Sequence, residues 1–66
     1  MQVTINGKPK EVKEKTTLQD LLTGLAIQRR GTAVEINKEI VPRASHAQKI
    51  IEEGDVIEII TMVGGG

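Results

Sequence analysis

The first residues of the chain alternate between apolar and polar side chains. Met1, Val3 and Ile5 are separated by Gln2 and Thr4. A period of two places these sets on opposite faces of an extended chain, with the apolar set buried. The chain is therefore predicted to begin with a half-buried β-strand.

A turn and a weaker strand are predicted next. Asn6-Gly7 favours a type I′ turn, because both residues tolerate a positive φ angle. The segment KPKEVKE, residues 8–14, is expected to form a second strand. Pro9 would lie at its start or on a sheet edge, because proline cannot donate a hydrogen bond to a ladder. The first unit is thus expected to be a β-hairpin.

A leucine stripe with helical spacing follows the hairpin. Its members lie at positions i, i+3, i+4 and i+7, so they share one face of a helix. Thr17 and Asp20 have the spacing of a capping box at the helix start, and Gly24 is expected to cap the helix end. The stripe consists of Leu18, Leu21, Leu22 and Leu25.

The second half of the chain contains a further hairpin pattern and a long apolar run. TAVEINKEIVP, residues 32–42, is predicted to form the hairpin, with its turn at Asn37-Lys38 or Lys38-Glu39. VIEIITMV, residues 56–63, is rich in β-branched residues and is typical of a strand buried on at least one face.

The resulting order of elements, β-β-α-β-β-β, predicts the α+β class. We expect a mixed sheet of four to five strands packed on one helix. A hairpin, a crossing helix and a last strand inserted at the centre of the sheet describe the β-grasp, or ubiquitin-like, architecture. A small open barrel is the alternative, and the early leucine-striped helix disfavours it. Residues 1–63 would form this domain, and residues 64–66 a flexible glycine tail.

Composition narrows the possible functions. The 66 residues suffice for one small domain, and without Cys, disulfides and thiolate metal sites are excluded. Nine basic and nine acidic residues are interleaved and no aromatic residue is present, which disfavours nucleic-acid binding. No apolar run approaches the roughly 20 residues that span a bilayer, and no signal peptide is visible. We therefore expect a cytoplasmic protein with neither nucleic acid nor membrane as a partner.

The side chains offer little catalytic chemistry. Ser45 and His46 are neighbours on the chain, but neighbours on an extended segment point in opposite directions, so they are not expected to form a catalytic pair. A carboxylate-rich turn is interpreted as solvent-exposed, since a metal site needs converging oxygen ligands. That turn contains Glu52, Glu53 and Asp55. We expect no catalytic residue, no metal site and no cofactor bound by the chain itself.

The terminal glycines are the remaining candidate for chemistry. Glycine lets a backbone enter narrow channels, and three extended residues span roughly 10 Å. The α-carboxylate of Gly66 has no side-chain bulk around it and could carry an acyl group into the active site of another protein. It would first need activation, most simply as an acyl-adenylate made by an ATP-using partner. The alternative is a frayed end or a cloning remnant.

Three segments together resemble the sulfur-carrier proteins of thiamine biosynthesis, the ThiS family. They are AVEINKEIVPR at residues 33–43, EEGDVIEII at 52–60 and VGGG at 63–66. The likeness covers the whole chain, including Ile-Asn-Gly at residues 5–7. A Gly-Gly end alone is shared with other β-grasp carriers, whereas the combination is more specific. Lys38 stands where the family often has glycine, which affects hairpin geometry and leaves the chemistry untouched.

The resemblance implies a reaction cycle. An E1-like adenylating enzyme would activate the Gly66 carboxylate with ATP and magnesium. Sulfur from a cysteine desulfurase route would convert it to a thiocarboxylate, which gives its sulfur to thiazole synthase. Gly64 and Gly65 would complete the tail. The chain would be a carrier and co-substrate, with ATP and magnesium used by its partner.

The last strand is predicted to offer a partner-binding patch. Both of its faces are largely apolar, yet one helix covers one face only. We expect Ile57 and Ile59 to face the helix. Ile60 and Met62 would then lie on the open face near Glu35 and contact the activating enzyme and the synthase, since exposed apolar clusters often mark such sites. Burial by other elements or by a dimer contact is the alternative.

Other functions stay open at this point. Small subunits of molybdopterin synthase resemble the chain in fold and tail, but they are generally longer and often have proline before the glycines, where this chain has Met62-Val63. A carrier for tRNA thiolation or a protein modifier is a weaker choice. A plain interaction module, whose tail undergoes no chemistry, belongs to a different class.

Overall fold

The computed structural model describes residues 1–27 and 30–61, and this part of the chain follows the predicted order of elements. The order β-β-α-β-β-β is interrupted only by a short 3₁₀ helix. The elements are β1 (Gln2–Ile5), β2 (Lys8–Glu11), α1 (Leu18–Gly24), β3 (Thr32–Ile36), β4 (Glu39–Ile40), the 3₁₀ helix (Arg43–Ser45) and β5 (Val56–Thr61).

The strands form one mixed sheet with β5 at its centre. The strand order is β2-β1-β5-β3-β4. The β1–β5 pair is parallel, and the other three pairs are antiparallel. A final strand inserted between the two hairpins is the predicted β-grasp arrangement, which is thereby confirmed. Pro9 lies on the edge strand β2, where its missing N–H costs no ladder bond.

Each hairpin is closed by a two-residue turn whose residues have positive φ angles. Asn6 and Gly7 have φ angles of 49° and 83°, as a type I′ turn requires. The second turn falls at Asn37-Lys38, where φ is 54° and 71°. This settles the choice between the two predicted turn positions, since asparagine enters the left-handed region more readily than most residues.

The start of α1 has the predicted capping box. The hydroxyl of Thr17 accepts a hydrogen bond from the Asp20 amide at 3.1 Å, and the Asp20 carboxylate accepts one from the Thr17 amide at 3.4 Å. Together they satisfy two amides that the helix leaves without partners. The predicted leucine stripe faces the sheet, with Leu18, Leu21 and Leu22 buried and Leu25 half-buried.

The prediction that Gly24 caps the end of α1 is wrong. Leu25 is the C-cap, and Ala26 takes the left-handed conformation with φ of 60°. The amide of Ile27 donates to the carbonyl of Leu22 at 2.9 Å, which is the long bond of a Schellman motif. This ending turns Ile27 onto the core. The C-cap is therefore one position beyond the glycine, and the left-handed residue is two positions beyond it.

Exchanging these two residues is expected to stabilise the fold. In Gly24→Ala/Ala26→Gly, the methyl group added at position 24 meets no atom within 4 Å, and alanine favours a helix over glycine by about 1 kcal/mol. Glycine at position 26 removes a left-handed penalty of roughly 1 kcal/mol. Urea unfolding should show a gain of about 1–2 kcal/mol. A loss of stability in Ala26→Gly alone would contradict the assigned helix end.

The core is aliphatic and lies between α1 and one face of the sheet. The predicted burial of Ile57 and Ile59 beside the helix leucines is confirmed. The buried apolar residues are Val3, Val12, Leu18, Leu21, Leu22, Val34, Ile36, Ile51, Ile57 and Ile59. In the described part of the chain, no helix has the length and apolar character needed to cross a bilayer.

Two buried polar side chains organise the segment before β5. Asp55 was expected to be solvent-exposed and is 7% exposed instead. Its carboxylate accepts hydrogen bonds from the Glu52 amide at 2.8 Å and from Asn37 Nδ2 at 3.0 Å, so it joins the turn before β5 to the β3–β4 turn. His46 is 1% exposed, and its Nε2 lies 3.0 Å from the Val41 carbonyl oxygen. Both residues therefore hold the loop in place.

Candidate functional site

The predicted site residues fall into two groups. Glu35 and Ile60 lie in the described part of the chain. The others lie outside the described residues, and their predicted roles stay predictions: Met62, Gly64, Gly65 and Gly66.

The sheet has an open face on the side away from α1. In the register between β3 and β5, Ile60 is opposite Ala33 and Glu58 is opposite Glu35. Glu35 is in turn opposite Ile40 of β4. Directly opposed residues share a face of the sheet. On β3, β4 and β5 the open face therefore carries these five side chains together with Val56, and it continues onto β1 through Thr4, which is opposite Val56.

Large apolar side chains frame the open face. Ile60 is 50% exposed, Val56 is 45% exposed and Ile40 is 68% exposed. Exposed apolar clusters of this kind are typical of protein–protein contacts. Ile60 was predicted to lie here, whereas Ile40 was not singled out, because β4 has only two residues and too few positions to show an alternating pattern.

Two carboxylates lie at the centre of this apolar frame. Glu35 and Glu58 are directly opposed on neighbouring antiparallel strands, an arrangement that disfavours folding because the charges repel. Neither carboxylate forms an ion pair with any residue of the described ranges. On β3, β4 and β5 the open face thus has exposed apolar side chains around two carboxylates, and a basic side chain of a partner would relieve the repulsion between them.

The described residues offer little for chemistry on bound small molecules. Within residues 1–27 and 30–61 there is no group of three or more His, Cys, Asp or Glu that could hold a metal ion. The imidazole of His46 is buried and engaged with the Val41 carbonyl. What the described geometry offers is a surface for binding another protein.

Known proteins similar to this chain share its sequence pattern and its fold. The model of the ThiS family matches residues 3–66. The sulfur carrier protein ThiS of Escherichia coli is 35% identical over 66 residues, which is 100% of both chains. The crystal structure of a thiamine biosynthesis protein (ThiS) from Geobacter metallireducens superposes with a TM-score of 0.86 at 33% identity and covers 100% of each chain.

A larger relative contains a segment similar to this whole chain. The thiazole synthase of Paramagnetospirillum magneticum is 41% identical to this chain over 66 residues. The match takes in 100% of this chain but spans only 20% of that protein. The family match, the full-length relative and the shared fold lead to one conclusion: the chain belongs to the ThiS family.

Proposed function

We propose that the chain is a cytoplasmic sulfur carrier for building the thiazole of thiamine. The observation that carries this proposal is the family match, which runs from residue 3 through the terminal glycine Gly66. In the proposal the Gly66 carboxylate is the group that accepts and releases sulfur. The glycines before it let the backbone enter a narrow active site of a partner.

The proposed chemistry has two steps at the Gly66 carboxylate. One carboxylate oxygen attacks the α-phosphorus of ATP and displaces pyrophosphate, which gives an acyl-adenylate. A cysteine desulfurase route provides the sulfur as a persulfide, and a thiol reduces that persulfide to hydrosulfide while itself forming a disulfide. The hydrosulfide then attacks the acyl carbon, and AMP leaves. The product is a thiocarboxylate that passes its sulfur to thiazole synthase. An E1-like adenylating enzyme supplies the catalytic residues and uses the ATP and magnesium, so the chain acts as co-substrate.

Thiazole synthase is the proposed sulfur acceptor. A unit similar to this whole chain lies within the thiazole synthase of Paramagnetospirillum magneticum. Joining two modules in one chain raises their effective concentration toward each other. A fusion of this kind is expected where the carrier and the synthase act one after the other. It therefore supports thiazole synthase as the partner of this separate chain as well.

Adenylation gives a direct test of the first step. The wild-type chain should support exchange of pyrophosphate into ATP by an E1-like enzyme of thiamine biosynthesis. The exchange should saturate with carrier concentration, because the carrier is the acyl substrate. Absence of exchange with an enzyme that activates another ThiS carrier would contradict the proposal.

The open face is the proposed docking surface for both partners. Ile60 lies on it, half-exposed, with Glu35 on the neighbouring strand, and Met62 is proposed to extend it. A complementary partner would bring apolar side chains to the exposed apolar residues and an arginine or lysine to the two carboxylates. Such charge complementarity sets the orientation of a complex and raises its association rate.

Ile60→Asp is expected to weaken docking without unfolding the chain. The substitution places a third carboxylate beside Glu35 and Glu58 and removes an apolar contact. The kcat/KM of pyrophosphate exchange should fall by roughly 30-fold, as for the loss of a strong interface contact. Ile50→Asp is the matched control, since Ile50 is 46% exposed and lies outside the sheet.

The two aspartate variants should unfold at similar temperatures in thermal melts. Equal losses of kcat/KM in both variants would contradict the docking proposal. The docking proposal would also be contradicted if Ile60→Asp melted at a much lower temperature while its folded fraction was still fully active.

A further inference from the structure

The parallel ladder between β1 and β5 is continued by a side chain. The last main-chain bond on this side of β5 runs from the Asn6 amide to the Ile57 carbonyl, at 2.9 Å. The chain then turns away at Asn6-Gly7. The Asn6 side chain takes over, with Oδ1 accepting from the Ile59 amide at 2.7 Å and Nδ2 donating to the Ile59 carbonyl at 3.3 Å.

The side-chain amide of Asn6 therefore forms with Ile59 the hydrogen bonds that the main chain of a further β1 residue would form. It binds both main-chain groups of Ile59 across a sequence separation of 53 residues. On the other side of β5, pairing with β3 continues to Thr61. The carboxyl-terminal part of β5 is thus bonded on both sides, although β1 itself ends at Ile5.

A second turn asparagine has the same role at the opposite end of β5. Asn37, also in the left-handed region, accepts a hydrogen bond from the Val56 amide through Oδ1 at 3.0 Å. Its Nδ2 donates to the Asp55 carboxylate at 3.0 Å. The two hairpin turns thus each supply one asparagine to β5, Asn37 where the strand begins and Asn6 near where it ends.

We infer that Asn6 is a positioning residue for activation of the glycine tail. It holds the last part of β5 in place, and the peptide chain runs from there to Gly66. Since a misplacement of about 1 Å can slow a reaction by up to roughly 100-fold, the direction of this strand sets how well the Gly66 carboxylate meets the adenylating site. The inference rests on the proposed function and assigns Asn6 no contact with substrate.

Asn6→Gly and Asn37→Gly form a matched pair for the test. Glycine adopts positive φ freely, so both turns keep their backbone shape. Each variant loses a side-chain amide that makes two hydrogen bonds, and their melting temperatures should fall by similar amounts. Only Asn6→Gly removes the bonds near the tail.

The kinetic readout is pyrophosphate exchange at a temperature where both variants are folded. Asn6→Gly is expected to lower kcat about tenfold with little change in the KM for the carrier, because the open face is intact. Asn37→Gly should keep the wild-type kcat. Equal kcat values for the two variants, or a loss confined to KM, would overturn the inference.

Amide hydrogen exchange provides a second readout that needs no partner. The Ile59 amide should exchange at least about tenfold faster in Asn6→Gly than in Asn37→Gly, because its acceptor is the Asn6 side chain. Unchanged protection of Ile59 would overturn the inference whatever the kinetics show. If the wild-type chain supports no pyrophosphate exchange, the proposed function fails, while the Ile59 amide still reports whether Asn6 holds β5.

Discussion

A chain extended by one alanine after Gly66 is expected to lose sulfur loading completely and to unfold at the wild-type temperature. The extension converts the Gly66 carboxylate into a peptide amide, which cannot be adenylated. The new terminal carboxylate lies roughly 3.3–3.6 Å further along the chain and belongs to a residue with a side chain. Intact mass after incubation with ATP, a sulfur source and the activating enzyme, together with a thermal melt, provides the measurement.

Gly64→Ala is the matched control for the extension. It adds the same methyl group near the tail but keeps the terminal carboxylate and the chain length. We expect it to be loaded, although more slowly, because alanine restricts the backbone conformations open to glycine. Loading of the extended chain at the wild-type rate would show that the Gly66 carboxylate is not the acceptor.

Of the variants proposed for this chain, Ile57→Ala is expected to lose the most free energy of unfolding. Ile57 is fully buried, at 0% exposure, on the central strand of the sheet. Truncating a buried isoleucine removes apolar contacts and leaves a cavity, at a cost of about 2–5 kcal/mol. The core of a domain with fewer than about 70–80 residues rarely supplies more than roughly 3–5 kcal/mol, so this variant should be partly unfolded near 37 °C. Urea denaturation measures the change.

Ile60→Ala makes the same chemical change on the other face of the same strand. Ile60 is 50% exposed, and its truncation should cost less than about 1 kcal/mol, as is usual at the surface. A loss similar to that of Ile57→Ala would contradict the open face and would indicate that Ile60 is covered in solution, for example by a second copy of the chain.

The parts of the fold that the sequence predicts well are those set by local patterns. The alternation in β1 and β5, the leucine spacing of α1 and the capping box at Thr17 each depend on residues a few positions apart. The same alternation separates Ile57 and Ile59 from Ile60 across the sheet. These short-range rules were sufficient for the element order and the class. The central position of β5 was expected because that order matches the β-grasp architecture.

The features missed from sequence depend on contacts between distant residues. Asp55 is buried because Asn37, 18 positions earlier, donates to its carboxylate, and no local pattern shows this. The C-cap of α1 is Leu25, not Gly24, and Ala26 takes the left-handed conformation that turns Ile27 onto the core. His46 lies in a segment without periodicity, so its burial became visible only in the fold.

The candidate site likewise has one part that local patterns predict and another that depends on contacts between distant residues. Alternation placed Ile60 on the open face, and only the observed register shows that Glu58 and Glu35 are directly opposed there. The bonds from Asn6 to Ile59 likewise depend on the crossing of β1 beside β5, which the Asn-Gly turn signal does not reveal. The terminal glycines by themselves suggest an acyl group at Gly66, and family membership supports the sulfur chemistry proposed for it.

The most direct test of the central claim is the intact mass of the wild-type chain after incubation with ATP, magnesium, a sulfur source and an E1-like activating enzyme. The proposed function predicts a mass increase equal to one exchange of oxygen for sulfur, located at Gly66 by fragmentation and absent when ATP is omitted. An unchanged mass, under conditions in which another ThiS carrier is converted, would contradict the claim.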